Sequence, residues 1–151
     1  MKMTAFPNRQ VLDLALSFHD AAEVLHDADA NAIPIINLRC HAIELFLKSL
    51  HLKDTATDVG EGVSLLRPVT GRGISHSLTD SFGNALQEHR DELVLGMPSL
   101  SEDLASLEGV FQKSRYVYEN GDRLPLSTAE RVSRYLAEKL PELTRLAVSN
   151  D

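Results

Sequence analysis

The sequence predicts an all-α protein: an up-and-down antiparallel bundle of about five helices, one domain over residues 1–151. Three observations predict it. Apolar residues recur at three- and four-residue spacing through long segments, the helical period. Capping boxes of the Ser-x-x-Glu or Ser-x-x-Asp type open three of those segments. No alternating strand pattern of convincing length occurs, and no internal repeat.

The first helix is expected from Arg9 to Ala28, with Asn8 as its cap. Val11, Leu14, Ala15, Phe18, Ala21, Ala22 and Leu25 form its apolar stripe. Arg9, Asp13, Asp20, Glu23 and Asp27 fall mostly on the other side. The second helix is expected from Ile33 to Leu52, and Pro34 is tolerated in a first turn, where its missing N–H costs nothing. Ile36, Cys40, Ile43, Leu47 and Leu50 make one stripe, widened by Ile35, Leu38, Ala42, Leu45 and Phe46. A helix apolar nearly all round is a central one. Yet this one carries Arg39, His41, Glu44 and Lys48. Arg39 and His41 are expected at the rim or in a dimer seam.

Residues Asp54 to Ser75 read as a long connection holding four of the eight glycines, with "SLLRPV" able to form a short turn or strand. The third helix opens at Ser77 in "SLTD", buries Leu78, Phe82, Ala85 and Leu86, and fades near Arg90. The fourth opens near Ser99 in "SLSE", follows Leu104, Leu107, Val110 and Phe111, and stops at Asn120 and Gly121. The fifth opens at Ser127 in "STAE" and follows Val132, Tyr135, Leu136, Leu140 and Leu143. Pro141 is expected to kink it or to start a new helix.

Hydrophobic residues are 43% and aromatics only 5%, with no Trp, so the core must be aliphatic. Lys plus Arg total 15 against 22 Asp plus Glu, a formal charge of −7. That balance argues against non-specific nucleic-acid binding and anionic membrane surfaces, while leaving room for a local basic site. Cys40 is the single cysteine, so no internal disulfide forms and a reducing compartment is expected. "MKMTAFPNRQ" has no apolar stretch after Lys2, and no run approaches the roughly 18 residues of a membrane span. The expectation is a cytoplasmic protein with no membrane contact.

For chemistry, the chain holds "EVLH", Glu23 to His26, and the reversed "HAIE", His41 to Glu44. Carboxylate-bridged bundles need such pairs on two helices. A second Glu-x-x-His is missing, so neither a metal nor a cofactor is expected. Cys40 and His41 are adjacent, and adjacent helical residues do not face each other. "GRG" at Gly71 to Gly73 lacks a Gly-Lys-Ser/Thr sequel, and Ser75, His76 and Asp80 lack a nucleophile elbow. The basic residues Arg67, Arg72, Lys113, Arg115, Arg131 and Arg134 can bind a phosphate-rich ligand if they converge. Otherwise they are separate surface arginines and lysines in weak ion pairs.

"CHAIELFLKSLHL", then "SHSL", then "KSRY", in that order between about Asn37 and Leu143, resembles the HEPN family of all-helical domains. The matching positions are Glu44, Leu47 and Lys48, then His76 and Leu78, then Arg115 and Tyr116. The resemblance implies a helical bundle, commonly a homodimer, linked to nucleotide or RNA binding. Many HEPN domains are metal-independent endoribonucleases of toxin–antitoxin or defence systems, with an Arg four to six residues before a His. There His takes the proton of the RNA 2′-hydroxyl and Arg steadies the phosphate. This chain departs from that motif. Arg72 precedes His76 by three intervening residues and Arg67 by eight, and no histidine follows His89.

The resemblance therefore implies a non-catalytic regulatory module, associated with nucleotide or RNA or binding a protein partner. One alternative is a degenerate endoribonuclease in which His76 and Arg115 meet through space. Another is a structural dimerisation module. Arg72, Tyr116, Glu44 and Lys48 are the expected ligand-binding or supporting residues. Glu44 and Lys48, one turn apart, are expected to pair, or Glu44 to orient His76 or Arg115.

Overall fold

The computed structural model describes residues 3–51, 54–60, 63–68, 77–110 and 123–149, with backbone alone at 3–5, 51, 54–60, 63–68 and 144–149. Along them run β1 (Met3–Phe6), α1 (Arg9–Asp27), α2 (Ala32–His51), β2 (Asp54–Gly60) and β3 (Val63–Pro68). Then follow α3 (Leu78–Gly83), α4 (Gln87–Gly96), α5 (Leu100–Ser106) and α6 (Leu126–Ser149).

The helical expectation holds as the dominant architecture. α1 and α2 lie within a residue of their predicted bounds. Asn8 caps α1, its side-chain oxygen accepting from the Val11 N–H at 3.0 Å. Its own backbone N–H reaches the Ser49 carbonyl at 2.7 Å, tying the start of α1 to the end of α2. Asn8→Ala removes the cap acceptor and leaves the backbone bond. It is expected to cost about 1 kcal/mol, read as a lower urea midpoint with an unchanged slope.

A strictly all-α fold is corrected. β1, β2 and β3 form a three-stranded antiparallel sheet in that order, with Phe6 opposite Asp54 and Asp54 opposite Pro68. β2 and β3 are a hairpin inside the expected long connection. Pro68, which lacks an N–H, sits at the end of an edge strand, where none is demanded. The pairing is irregular between Asp58 and Gly60, and glycines on a hairpin dilute the alternation that signals a strand.

Other boundaries also differ. The expected third helix is two: α3 stops at Gly83 with Asn84 as its cap, and α4 begins at Gln87. Ser99 precedes α5 without making a cap bond to the backbone; its hydroxyl donates to Asp103 Oδ2 at 2.8 Å. Gly109, at φ 71°, takes a left-handed turn soon after α5. The expected stop at Asn120 and Gly121 lies outside the described residues. α6 starts one residue before Ser127 and runs through Pro141 to Ser149, so Pro141 starts no new helix.

α2 is the hub, packing on α1, α3 and α6. Ile36, Ala42, Ile43, Phe46, Leu47 and Leu50 are almost wholly buried, as its all-round apolar pattern requires. α1 turns a different face inward from the one its stripe suggests. Leu12, Ala15, His19 and Ala22 are buried, whereas Leu14 is 49% exposed and Ala21 is exposed. No helix among the described residues is long and apolar enough to cross a membrane.

Candidate functional site

Of the expected site residues, His76, Arg72, Arg115 and Tyr116 lie outside the described residues. Glu44 and Lys48 pair as expected: Lys48 Nζ donates to Glu44 Oε1 at 2.8 Å, both side chains about four-fifths buried. His41 rests edge-on against Phe18, ring centroids 4.4 Å apart. Arg39 corrects the rim assignment. It is 1% exposed, inside the core.

A buried guanidinium needs a counter-charge. Glu23 on α1 supplies it, its Oε1 accepting from Arg39 Nη1 at 2.8 Å. Arg134 on α6 grips the same carboxylate with a fork: Nε to Oε1 at 2.9 Å and Nη2 to Oε2 at 3.0 Å. Glu130 in turn pairs with Arg134 one turn along α6. One carboxylate thus joins three helices. The Arg134 guanidinium, and after it Arg39, hold the Glu23 carboxyl at about 2, against the upward push of burial. Arg39 Nη2 is buried with no hydrogen-bond partner among the described residues, a cost of about 1–3 kcal/mol.

His19, one turn before Glu23, completes the cluster. Its Nδ1 lies 2.6 Å from Ser133 Oγ on α6, and its Nε2 lies 3.6 Å from Glu23 Oε1. Burial pushes its pKa below the ordinary imidazole value, so the ring is neutral at pH 7. A neutral ring with its proton on Nε2 accepts from the Ser133 hydroxyl and turns its N–H toward the carboxylate.

Hydroxyl, imidazole and carboxylate in a row are the parts of a nucleophilic relay. This arrangement cannot work as one. Ser133 is 0% exposed, so no substrate reaches its oxygen. The carboxylate is committed to two guanidiniums and does not polarise the ring as a free partner would. The cluster therefore acts as a polar clamp across α1, α2 and α6.

The sequence reading did not single out His19 or Ser133, and weighed Glu23 only with His26. Glu23 faces the clamp while His26 is exposed, and no group among the described residues could hold a metal ion. Arg131 pairs with Asp103 at 2.9 Å, apart from the clamp. Cys40 is buried, and burial pushes its thiol up to about 12, which makes it inert.

A shallow groove between α4 and α6 is lined by Glu92, Leu95, Gly96, Lys139 and Glu142. The Tyr135 hydroxyl beside it donates to the Leu93 carbonyl at 2.6 Å. A Cβ on Gly96 would overlap that hydroxyl. Helix propensity alone makes Gly→Ala stabilising. Here Gly96→Ala is expected to destabilise by about 1–3 kcal/mol, and to cost less in a Tyr135→Phe background, measured by urea unfolding.

No protein-family model, no curated protein and no solved structure matches this chain.

Proposed function

We propose that the chain is a HEPN-like, up-and-down helical bundle acting as a non-catalytic regulatory module associated with nucleotide or RNA, dimeric and cytoplasmic. One observation carries the non-catalytic reading. The polar groups of the clamp pair with one another, Glu23 with Arg39 and Arg134 and His19 with Ser133, and Ser133, the hydroxyl among them, is closed to substrate. The central place of α2, which bears "CHAIELFLKSLHL", is in keeping with the HEPN resemblance. The ligand class rests on that resemblance, through His76 and Arg115. A single cysteine, kept as a buried thiol, suits a reducing compartment.

Thermal melting with nucleotides and a short RNA tests this. A ligand at about a hundred times its Kd adds about 2.7 kcal/mol, a rise on the order of 5–10 °C for a domain of this size. The rise should vanish in Arg115→Ala. No rise with any nucleotide or RNA rejects the reading. RNA cleavage in excess chelator, lost in His76→Ala, replaces it with the endoribonuclease alternative. Light scattering reads the dimer separately.

A further inference from the structure

The outward face of α1 has a regularity that the packing of the chain does not use. Leu14, Ser17, Ala21, Val24 and, at the C-cap, Ala28 follow one another at alternating three- and four-residue steps, and all five are exposed. Leu14 is 49% and Val24 67% exposed, two of the four large hydrophobics that stand out among the described residues. This three–four alternation is the spacing of the seam through which one helix packs along another. Ser17, Ala21 and Ala28 leave shallow holes between the Leu14 and Val24 knobs.

Beside the seam runs a second series, Asp13, Asp20 and Asp27, seven residues apart and each immediately before a seam position. All three are exposed, and none makes an ion pair with a described residue. Arg9, at its start, is the only Lys or Arg in α1. In a helix pair these flanking positions meet the partner's flanking side chains.

The charges choose between occupants. Two copies of α1 meeting antiparallel would set the aspartate rows against each other. Meeting in parallel, each row would lie on Val11, Phe18 and Leu25 of the other copy. Neither arrangement brings a Lys or Arg of the other α1 to the rows, and like or unpaired charges at a seam select against a partner. A helix with apolar seam residues and a row of Lys or Arg satisfies both features of the face.

We propose that the outer face of α1 is a docking surface for an amphipathic helix of another protein, with Leu14 and Val24 entering its apolar seam and Asp13, Asp20 and Asp27 pairing with its basic flank. This surface is separate from any nucleotide site, and the inference does not rest on the nucleotide reading.

The probe is a labelled, designed helical peptide of about four heptads with Leu at its seam and Lys at its flanks, followed by fluorescence anisotropy. Two comparison peptides are a scramble of the same composition and a version with Glu in place of Lys. The full chain should bind the Lys helix at least about ten-fold more tightly than the scramble. Val24→Asp and, as an independent variant, Ala21→Arg should each weaken binding at least about ten-fold, with melting temperature nearly unchanged because both sites are exposed. Asp13→Lys/Asp20→Lys/Asp27→Lys should reverse the preference toward the Glu helix. Equal affinity for the scramble overturns the proposal, because bulk charge alone then explains binding. So does unchanged affinity in both seam variants. Conversion of a wild-type dimer to monomer by Val24→Asp, seen in light scattering, also overturns it, since the occupant is then a second copy.

Discussion

Glu23→Gln is expected to lower the unfolding free energy by about 3 kcal/mol near neutral pH, at the low end of the 3–5 kcal/mol typical of breaking a buried ion pair. The side chain stays the same size and can still accept hydrogen bonds. What is lost is the negative charge that two guanidiniums share, one of them on a side chain 2% exposed. Partial exposure of Glu23, at 27%, keeps the loss toward the lower end. The melting temperature should fall by roughly 6–12 °C. Arg39→Met should do little by comparison. It removes the buried charge together with its unpartnered Nη2, and it leaves Glu23 gripped by Arg134.

The same carboxylate sets an acid dependence. Its ordinary value is 4.5 and its folded value about 2. A carboxyl depressed by folding contributes stability that is fully present above the unfolded value and is lost as pH falls toward the folded one. Wild-type stability should therefore decline between about pH 4.5 and pH 2 from this group, by at most roughly 3 kcal/mol and by less where solvent screens the exposed Arg134. Glu23→Gln should lack that component, so the two proteins converge in acid. Urea unfolding at a series of pH values checks both statements.

Phe46→Ala is expected to cost about 3–5 kcal/mol. Phe46 is 0% exposed in the middle of α2 and lies beside His19, with ring centroids 6.4 Å apart. Its removal leaves a cavity where the hub meets α1, and the surrounding helices can close it only in part. Leu95→Ala, at a residue 79% exposed, is the control and should stay within about 0.5 kcal/mol of wild type. A small loss at Phe46 would mean that α2 is not the hub.

The helices that the sequence announces most clearly are those with the strongest period. Asn8 and the long apolar run of α2 place two helices almost to the residue. The face of α1 was less legible. Alanine is neutral to burial, so Ala15 and Ala22, which are buried, look like Ala21, which is not. Only packing against both α2 and α6 decides the rotation. Of the hairpin, only the "SLLRPV" of β3 stood out as a possible turn or strand; in β2 the alternation of Thr55, Thr57 and Val59 is too weakly apolar to announce a strand. The clamp left almost no local trace, since Glu23 meets Arg39 across 16 positions and Arg134 across 111. One signal was present. Arg39 follows Ile36 by three residues and precedes Ile43 by four, an apolar spacing on a helix apolar all round. A charge there must find a partner in the core, not at a rim. His19, spaced alike between Ala15 and Ala22, carried the same hint.

The most direct test is the coupling between Glu23 and Arg39. Urea unfolding of wild type, Glu23→Gln, Arg39→Met and the double variant isolates it. If the charge on α2 serves to lock helices together, the double variant should be more stable than the sum of the single effects implies, by at least about 1 kcal/mol. Additivity within about 0.3–0.5 kcal/mol would mean that the two side chains do not depend on each other and that the clamp is not what holds α1 to α2.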